Sequence, residues 1–422
     1  EVFDALLLGR RGQRSYDRRR QNGWMEYLES RFNVNERWDA IVAEILRARP
    51  TSPGERGVDW YLYERGDNFQ EIAESISPAF FGIQIQCAQC HDHPLASEIE
   101  QRHYWGLVAF FNRGKRVDTS AGPRVGESAV GGFSKFTDLS GDTADVQLTF
   151  LGKHVTIPER RPLTEAEDKD ASEKYFPLAG SAELPPFPMF SRREQFVDNF
   201  VLGNPLVARA FVNRMWGLLL GRGIVHPVDK MNSMYDPSHP ELLDWLTQDF
   251  EQSGYDIKRL VRAIVASTPY QLECRPTTTT VGDECFAWGI PKPMTAESYY
   301  RSILMSVDGS LDRFRNEVLL EFQEQFPDVF AEQTETTLKQ SLFLSNNPFM
   351  QEILRPLAVD SMTTPTSVNE RIVEAFCSTL GRVPDEVELA HCRTFLGEAA
   401  DMPAETSLWW SLVTSAEFRF NH

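Results

Sequence analysis

One short stretch, in which thiol and imidazole donors crowd together, constrains the fold of this chain more than any other. It reads Cys87-Ala-Gln-Cys-His-Asp-His-Pro94. The Cys-x-x-Cys-His spacing is the one that attaches a c-type haem covalently. Two thiols three residues apart reach the two vinyl groups of one porphyrin, and the imidazole that follows points at the iron from the same side. This chemistry needs these residue types in this order.

Three other interpretations of the same stretch remain open, and the simplest is that two buried cysteines are neighbours by chance. Cys87, Cys90, His91 and His93 offer four donors, and zinc accepts mixed sulfur and nitrogen ligands. However, neighbouring ligands such as Cys90 and His91 rarely reach one tetrahedral ion, and the sequence has no second Cys-x-x-Cys or His-x-x-x-His pair. The third interpretation is a disulfide or redox dithiol. We favour haem, held by Cys87 and Cys90, with His91 as the axial ligand of its iron.

The overall composition argues against several functional classes. Of the 422 residues, 41% are hydrophobic, so the chain can bury sizeable cores and form two or three domains. Its 43 Lys and Arg face 61 Asp and Glu, and the net charge of −18 opposes general binding to nucleic acid or anionic membranes. No stretch approaches the ~20 apolar residues of a membrane span. We therefore expect no nucleic-acid partner and no membrane span.

Two features favour a location outside the cytoplasm. The chain begins at Glu1 and shows no cationic start followed by an apolar run, as expected of a processed product. Haem is attached to motifs of this kind outside the cytoplasm, where cysteines also meet an oxidising environment. We predict a periplasmic or secreted protein.

Hydrophobic periodicity predicts a helical first domain over residues 1–116. A short amphipathic helix begins at Asn68 and is broken before the motif by Pro78 and Gly82. A second helix, over residues 104–112, carries an aromatic stripe. The motif is therefore expected between two helices whose aromatic faces could wall a porphyrin.

The rest of the chain is predicted to contain a β-rich insertion and a second helical domain. Residues 117–190 are rich in Gly, Ser, Thr, Asp and Pro, and alternating apolar residues over 146–157 indicate a β-hairpin. Residues 191–422 are helical again, with capping boxes expected at 238–241 and 367–370. The predicted fold class is therefore mostly α, with two helical domains and a small β insertion between them.

The other four cysteines fall into two pairs. Cys377 and Cys392 lie on the two arms of a predicted αα-hairpin, and Cys274 and Cys285 close a short Thr-rich loop. In an oxidising compartment each pair can form a disulfide. The equally open alternative is four unrelated buried thiols.

The ligand on the far face of a haem decides what the haem does. A Met or a second His there gives an electron carrier, whereas an open face permits oxidative chemistry. His93 is too close in sequence to His91 to reach the opposite face, so we expect it to hydrogen-bond a propionate or a substrate hydroxyl. His226 is the first candidate for the distal ligand. Further candidates are Met215, Met189 and His422.

Two sets of short motifs together resemble a known family. The first set comprises residues 79–94, 104–107 and 109–111, and the second comprises residues 204–205, 212–216, 221–227, 238–244 and 415–418. As a set they resemble the planctomycete cytochrome-like proteins of unknown function, which carry two uncharacterised domains in tandem. The resemblance covers nearly the whole chain.

The resemblance implies a secreted or periplasmic protein that acts near the breakdown of polysaccharides and sulfated glycans. It also implies a c-type-cytochrome-like first domain and a partner from a secreted sulfatase-like family. We therefore expect a haem oxidoreductase that oxidises a carbohydrate and passes electrons to a separate redox partner protein. Asp92, His93 and Asp229 would supply its base or orienting groups.

Two alternative functions stay open. One is a pure electron-transfer cytochrome without a substrate of its own. The other is a non-redox glycan-binding or scaffold protein in which the cysteine cluster holds zinc or a disulfide.

Overall fold

Helices dominate the computed structural model, which describes residues 1–50, 56–156, 175–176, 180–274, 282–330, 337–354, 367–397 and 402–421. Within these residues the strands form small two-stranded antiparallel sheets. The predicted fold class, mostly α with a small β insertion, is confirmed.

Within the described residues, seven α-helices precede the β insertion. Helices α1 to α7 are Val2–Leu8, Gln13–Gln21, Trp24–Asn33, Trp38–Arg47, Trp60–Arg65, Phe69–Ile76 and Gln101–Phe111. The Asn68 side chain caps α6 by accepting from the backbone N–H of Glu71. A π-helical turn, Ser77–Phe81, extends α6 until Gly82 ends it with a φ of 68°. A 3-10 turn, Gln86–Gln89, then carries the first cysteine of the motif.

The described part of the insertion contains three hairpins. Strands β1 and β2 are Gly114–Thr119 and Gly122–Glu127, β3 and β4 are Lys135–Thr137 and Thr143–Asp145, and β5 and β6 are Leu148–Phe150 and Lys153–Val155. The last hairpin is the predicted one, with Leu148 opposite Val155. It packs closely on α7, because a Cβ atom at Gly106 would lie 2.1 Å from the backbone oxygen of Thr149.

The second half is again mainly helical. Helices α8 to α18 are Arg192–Phe196, Pro205–Leu220, Pro240–Gln252, Ile257–Val265, Ala296–Asp308, Asn316–Gln325, Leu338–Asn346, Val368–Leu380, Glu386–Leu396, Met402–Val413 and Ala416–Arg419. A π-helical turn, Val197–Val201, continues α8, and strands β7 (Lys292–Pro293) and β8 (Phe420–Asn421) form a short pair. The predicted αα-hairpin corresponds to α15 and α16.

One of the two predicted capping boxes is confirmed. Ser367 and Glu370 form a reciprocal box at the start of α15. The box predicted at residues 238–241 is wrong, because α10 has His239 as its N-cap and no side chain caps it. Pro240 occupies the first turn of α10, and the Ser238 hydroxyl donates instead to the backbone oxygen of Ile224 at 3.2 Å.

The chain divides into two compact units, Glu1–Leu272 with Thr278–Ala287, and Glu273–Thr277 with Trp288–His422. The predicted domain boundary at residue 190 lies inside the first unit. Its core joins segments distant in sequence: the Trp38 ring stacks on Phe211 with centroids 4.3 Å apart, and Phe110 lies 5.4 Å from Phe200. Helices α8 and α9 therefore share one core with the N-terminal helices.

The second unit has its own aromatic core. Tyr300, Phe322 and Ile372 are fully buried there. Among the described residues, none of the helices combines the length and hydropathy needed to cross a membrane.

Candidate functional site

The motif lies in the segment that begins with the 3-10 turn Gln86–Gln89 and ends where α7 begins. This segment is here called the Cys–His loop (residues 86–100). Its small and aliphatic residues anchor it: Ala88, Ala96 and Ile99 have no exposed surface. Between these anchors, Cys87 and Cys90 are exposed free thiols. The loop thus presents both sulfur atoms at the protein surface while its backbone stays fixed to the core.

The ring of His91 is oriented by a backbone carbonyl. Its Nδ1 lies 2.6 Å from the backbone oxygen of Asp92. A carbonyl oxygen can only accept, so Nδ1 carries the proton and the lone pair of the neutral ring is on Nε2. A metal-ligating histidine commonly donates its second ring nitrogen to such a carbonyl. With Cys87 and Cys90 exposed beside it, the residues fit a covalently attached haem.

His93 has the opposite tautomer. Its Nδ1 accepts from the backbone N–H groups of Leu95 at 3.2 Å and Ala96 at 2.9 Å, so the proton of the neutral ring is on Nε2. Protonation at Nδ1 would break both hydrogen bonds. His93 is therefore built as a hydrogen-bond donor through Nε2, which fits the expected orienting role better than that of a base.

Asp92 closes the Cys–His loop onto α7. Its Oδ1 accepts from the backbone N–H of Gln101 at 2.7 Å, one of the donors that a helix N-terminus leaves unpaired. The side chains of Gln101 and Trp105 donate to the backbone oxygen of Gln89 at 3.2 and 3.1 Å. Asp92 thus fixes the motif relative to α7. Because its Oδ1 is already held by this hydrogen bond, the carboxylate is less available as a catalytic base.

A segment from the second half of the chain, residues 229–233, brackets the Cys–His loop. Before the loop, the backbone N–H of Met231 donates to the oxygen of Gly82 at 2.8 Å, and Lys230 pairs with Ile83 in an antiparallel bridge. Near the end of the loop, Ser233 donates to Glu98 through its backbone N–H at 2.7 Å and its hydroxyl at 2.9 Å. The segment therefore fixes both ends of the motif.

This segment contains one of the predicted site residues, Asp229, which contacts the residues just before the motif. Its Oδ2 accepts from Gln84 Nε2 at 2.6 Å, three positions before Cys87. The turn that carries the segment is itself anchored, because Asn213 donates to the oxygen of Val225 at 2.9 Å and accepts from its N–H at 2.8 Å.

His226 is exposed, although its neighbours Val225 and Val228 are buried, and it lies three residues before Asp229. Partial burial and the Arg222 guanidinium lower the pKa of His226, and Asp229 opposes them. The ring is therefore mainly neutral at pH 7 and keeps a lone pair that can bind a metal. Its role as a distal haem ligand stays a prediction.

The other candidate distal ligands differ in accessibility. Met215 is 4% exposed within α9, so it serves the core, whereas Met189 is 70% exposed. His422 lies outside the described residues.

The described residues show neither a metal site nor a disulfide that involves the cysteines. Across the described parts of the chain, no group of three or more His, Cys, Asp and Glu side chains is placed to hold a metal ion. All six cysteines are free, so neither the Cys274–Cys285 nor the Cys377–Cys392 disulfide is formed in this structure.

Sequence reasoning missed the residues that hold the site together. Gln84 stands inside the recognised stretch 79–94, so its position was visible although its partner was not. The pairing of Glu98 with Ser233 joins residues 135 positions apart and has no sequence pattern of its own.

Comparison with known proteins yields two family matches. Residues 5–116 match the family described as PSCyt2, Protein of unknown function (DUF1549). Residues 192–317 match the family described as PSD1, Protein of unknown function (DUF1553). No curated protein and no solved structure matches the chain. The chain therefore carries the planctomycete-type tandem of these two domains of unknown function.

Proposed function

We propose that this chain is an extracytoplasmic c-type haem redox protein. Cys87 and Cys90 would hold the haem covalently, and His91 would bind its iron. The most direct support is the His91 tautomer: the hydrogen bond from Nδ1 to the Asp92 oxygen, at 2.6 Å, leaves Nε2 available to a metal. When bound, a haem supplies one-electron redox chemistry.

We further propose that the protein acts as an oxidoreductase in carbohydrate or glycan catabolism. In this proposal His93 donates from Nε2 to a propionate or a substrate hydroxyl, and Asp229, held by Gln84, orients the substrate. The carbohydrate substrate and a sulfatase-like partner are inferred from the family resemblance. Electrons would leave to a separate carrier protein.

One observation favours a second candidate, a pure electron carrier. Asp92 and Asp229 each accept a hydrogen bond from within the protein, and His93 accepts two. The groups expected to act as bases therefore already have structural partners. An electron carrier needs no base, and the exposure of both motif cysteines suits electron exchange at the surface.

The proposal is tested by maturing the chain in a host that attaches c-type haem and recording a pyridine haemochrome spectrum. We expect covalent haem in the native chain and none in the Cys87→Ser/Cys90→Ser variant. The matched control is Cys285→Ser/Cys377→Ser, which removes two exposed cysteines outside the motif and should keep the haem. A native chain without covalent haem would overturn both redox functions, and bound zinc in the same sample would favour the scaffold alternative.

The two redox candidates are separated by ligand binding to the reduced protein. Carbon monoxide binding would indicate an open coordination position and favour the oxidoreductase. Failure to bind would indicate a closed, six-coordinate carrier, and His226→Ala should then open the site if His226 is the distal ligand.

A further inference from the structure

A cavity of about 280 Å³ lies in the first unit and shares no residue with the Cys–His loop. It is bounded by strand β2, by the residues that follow α4, by the proline-rich segment 184–187, and by Arg193 of α8. An engineered cavity of about 150 Å³ accommodates benzene, so this space is large enough for a small organic molecule of sugar size.

Three arginines line this cavity: Arg49, Arg124 and Arg193. Arg193 is 3% exposed; its Nε lies 3.3 Å from Glu127 Oε2, and one terminal nitrogen donates to the oxygen of Val125 at 3.2 Å. Among the described residues its other terminal nitrogen is buried without a hydrogen-bond partner, and so is the Nε of Arg124. Buried donors are normally satisfied, so these two call for a partner.

The nearby carboxylates do not fully satisfy these cations. Glu127, which also lines the cavity, already accepts from the Ser191 hydroxyl and the Arg192 N–H, both at 2.6 Å. Asp59 lies 3.6 Å from a terminal nitrogen of Arg124, and burial raises its pKa to about 6 although Arg124 lowers it. Glu127 thus pairs with Arg193 and Asp59 with Arg124, and the buried Asp59 carboxyl ionises reluctantly.

The remaining wall is apolar. The Arg49 guanidinium carbon lies 3.6 Å from the centroid of the Phe187 ring, so the cation is stacked on an aromatic face. Pro185 and Pro186 continue this wall. Ligand pockets typically combine such apolar walls with a few charged groups that fix the orientation of the ligand.

We propose that this cavity binds a small organic oxyanion, with Arg193, Arg124 and Arg49 as the binding groups. The guanidinium fork matches the paired oxygens of a carboxylate or a sulfate ester. The apolar wall of Phe187, Pro185 and Pro186 would pack against the carbon skeleton that carries the anion. This inference does not depend on haem attachment.

The test is isothermal titration calorimetry at constant ionic strength with three probes: sodium glucuronate, sodium sulfate and glucose. We expect saturable binding of at least one anion and none of glucose. Binding of glucuronate alone identifies a carboxylate as the recognised group, and binding of sulfate alone identifies a sulfate. Arg193→Gln should weaken the binding about tenfold or more, the effect of losing a charge-assisted hydrogen bond.

Two further variants keep the test decisive if Arg193→Gln does not fold. Arg49→Gln changes a half-buried side chain that stacks on Phe187, so it should weaken anion binding while lowering the melting temperature only slightly. The control Arg259→Gln removes an exposed arginine of the same unit, paired with Asp249, and should bind as the native chain does. The proposal is overturned if neither anion binds, if glucose binds as well as glucuronate, or if Arg49→Gln and folded Arg193→Gln both retain native affinity.

Discussion

Ser233 donates two hydrogen bonds to the Glu98 carboxylate, from its backbone N–H at 2.7 Å and from its hydroxyl at 2.9 Å. This pair ties the end of the Cys–His loop to a segment more than a hundred residues later in the chain. Burial raises the pKa of Glu98, but these hydrogen bonds outweigh it together with the Glu98 backbone N–H and the nearby His93, so the net pKa is lowered. The ionised carboxylate is thus the form that holds the loop.

Ser233→Ala should loosen the Cys–His loop. The variant loses one of the two hydrogen bonds, and a charge-assisted bond at an exposed site contributes about 1 kcal/mol. We expect faster amide hydrogen exchange at residues 95–101 and little change in the second unit. The control Ser345→Ala removes an exposed serine hydroxyl in that second unit. Unchanged exchange in the loop would show that the backbone contact alone holds it.

The same pair predicts how the loop responds to acid. Since the folded pKa of Glu98 lies below its unfolded value, its contribution is present above the unfolded pKa and is lost as the pH falls through the folded pKa. The protection of the loop amides, measured as the exchange rate relative to the intrinsic rate at the same pH, should therefore fall on acidification. Glu98→Gln should remove this loss of protection, and an equal loss in that variant would assign it to another group.

His91 and His93 are predicted to hold opposite tautomers in the haem-free protein. The Asp92 oxygen fixes the proton of His91 on Nδ1, whereas two backbone N–H donors fix that of His93 on Nε2. Long-range ¹⁵N–¹H correlation spectra distinguish the two forms. We expect one ring of each kind in spectra recorded at alkaline pH. An Nε2 proton on His91 would remove the main structural support for iron binding.

The sequence identified which side chains lie together at the site but not how the surrounding loop is held. The Cys-x-x-Cys-His spacing places Cys87, Cys90 and His91 side by side, because their proximity depends only on neighbouring residues. That they bind a haem stays a prediction. The hydrogen bonds from Gln84 to Asp229 and from Ser233 to Glu98 could not be predicted, because they join segments that are distant in the sequence.

The same distinction applies to the fold: features set by neighbouring residues were predicted, whereas contacts between distant segments were not. The helix cap at Ser367 and the hairpin turn after Phe150 follow from local sequence patterns. The cap at Ser238 was predicted wrongly because the helix begins one residue later, with His239 at the N-cap and Pro240 in the first turn. The shared core of Trp38 and Phe211 crosses the predicted domain boundary, since periodicity identifies buried faces but does not say which faces meet.

Asp59 should make the stability of the first unit depend on pH. This side chain is 2% exposed, and burial raises its pKa from 3.8 to about 6, against the lowering effect of Arg124. A raised folded pKa means that the contribution is fully present below the unfolded pKa and is lost as the pH rises through about 6. The loss amounts to about 3 kcal/mol, at roughly 1.4 kcal/mol per pKa unit.

Asp59→Asn cannot ionise, so it should lack this loss. The free energy of unfolding, measured with urea from pH 4 to pH 8, should fall less steeply in the variant than in the native chain, whatever the absolute stability of each. Asp312→Asn changes an exposed aspartate and should keep the native slope. Parallel curves for the native chain and Asp59→Asn would show that Asp59 stays ionised throughout.

Thiol reactivity should divide the six cysteines of the haem-free protein into two groups. Cys87, Cys90, Cys285 and Cys377 are exposed and should react rapidly with a disulfide reagent. Burial raises the pKa of Cys274, against Lys292, and that of Cys392, together with Glu388, so these two thiols should react slowly.

The same titration decides whether the cysteine pairs and the haem are formed. Protein purified from an oxidising compartment should still show six reactive thiols if the structure is complete without disulfides, and two if both Cys274–Cys285 and Cys377–Cys392 are bridged. Haem attachment should remove Cys87 and Cys90 from the rapid group and leave Cys285 and Cys377 in it. If all four rapid thiols persist in a sample that carries covalent haem, attachment through Cys87 and Cys90 is wrong.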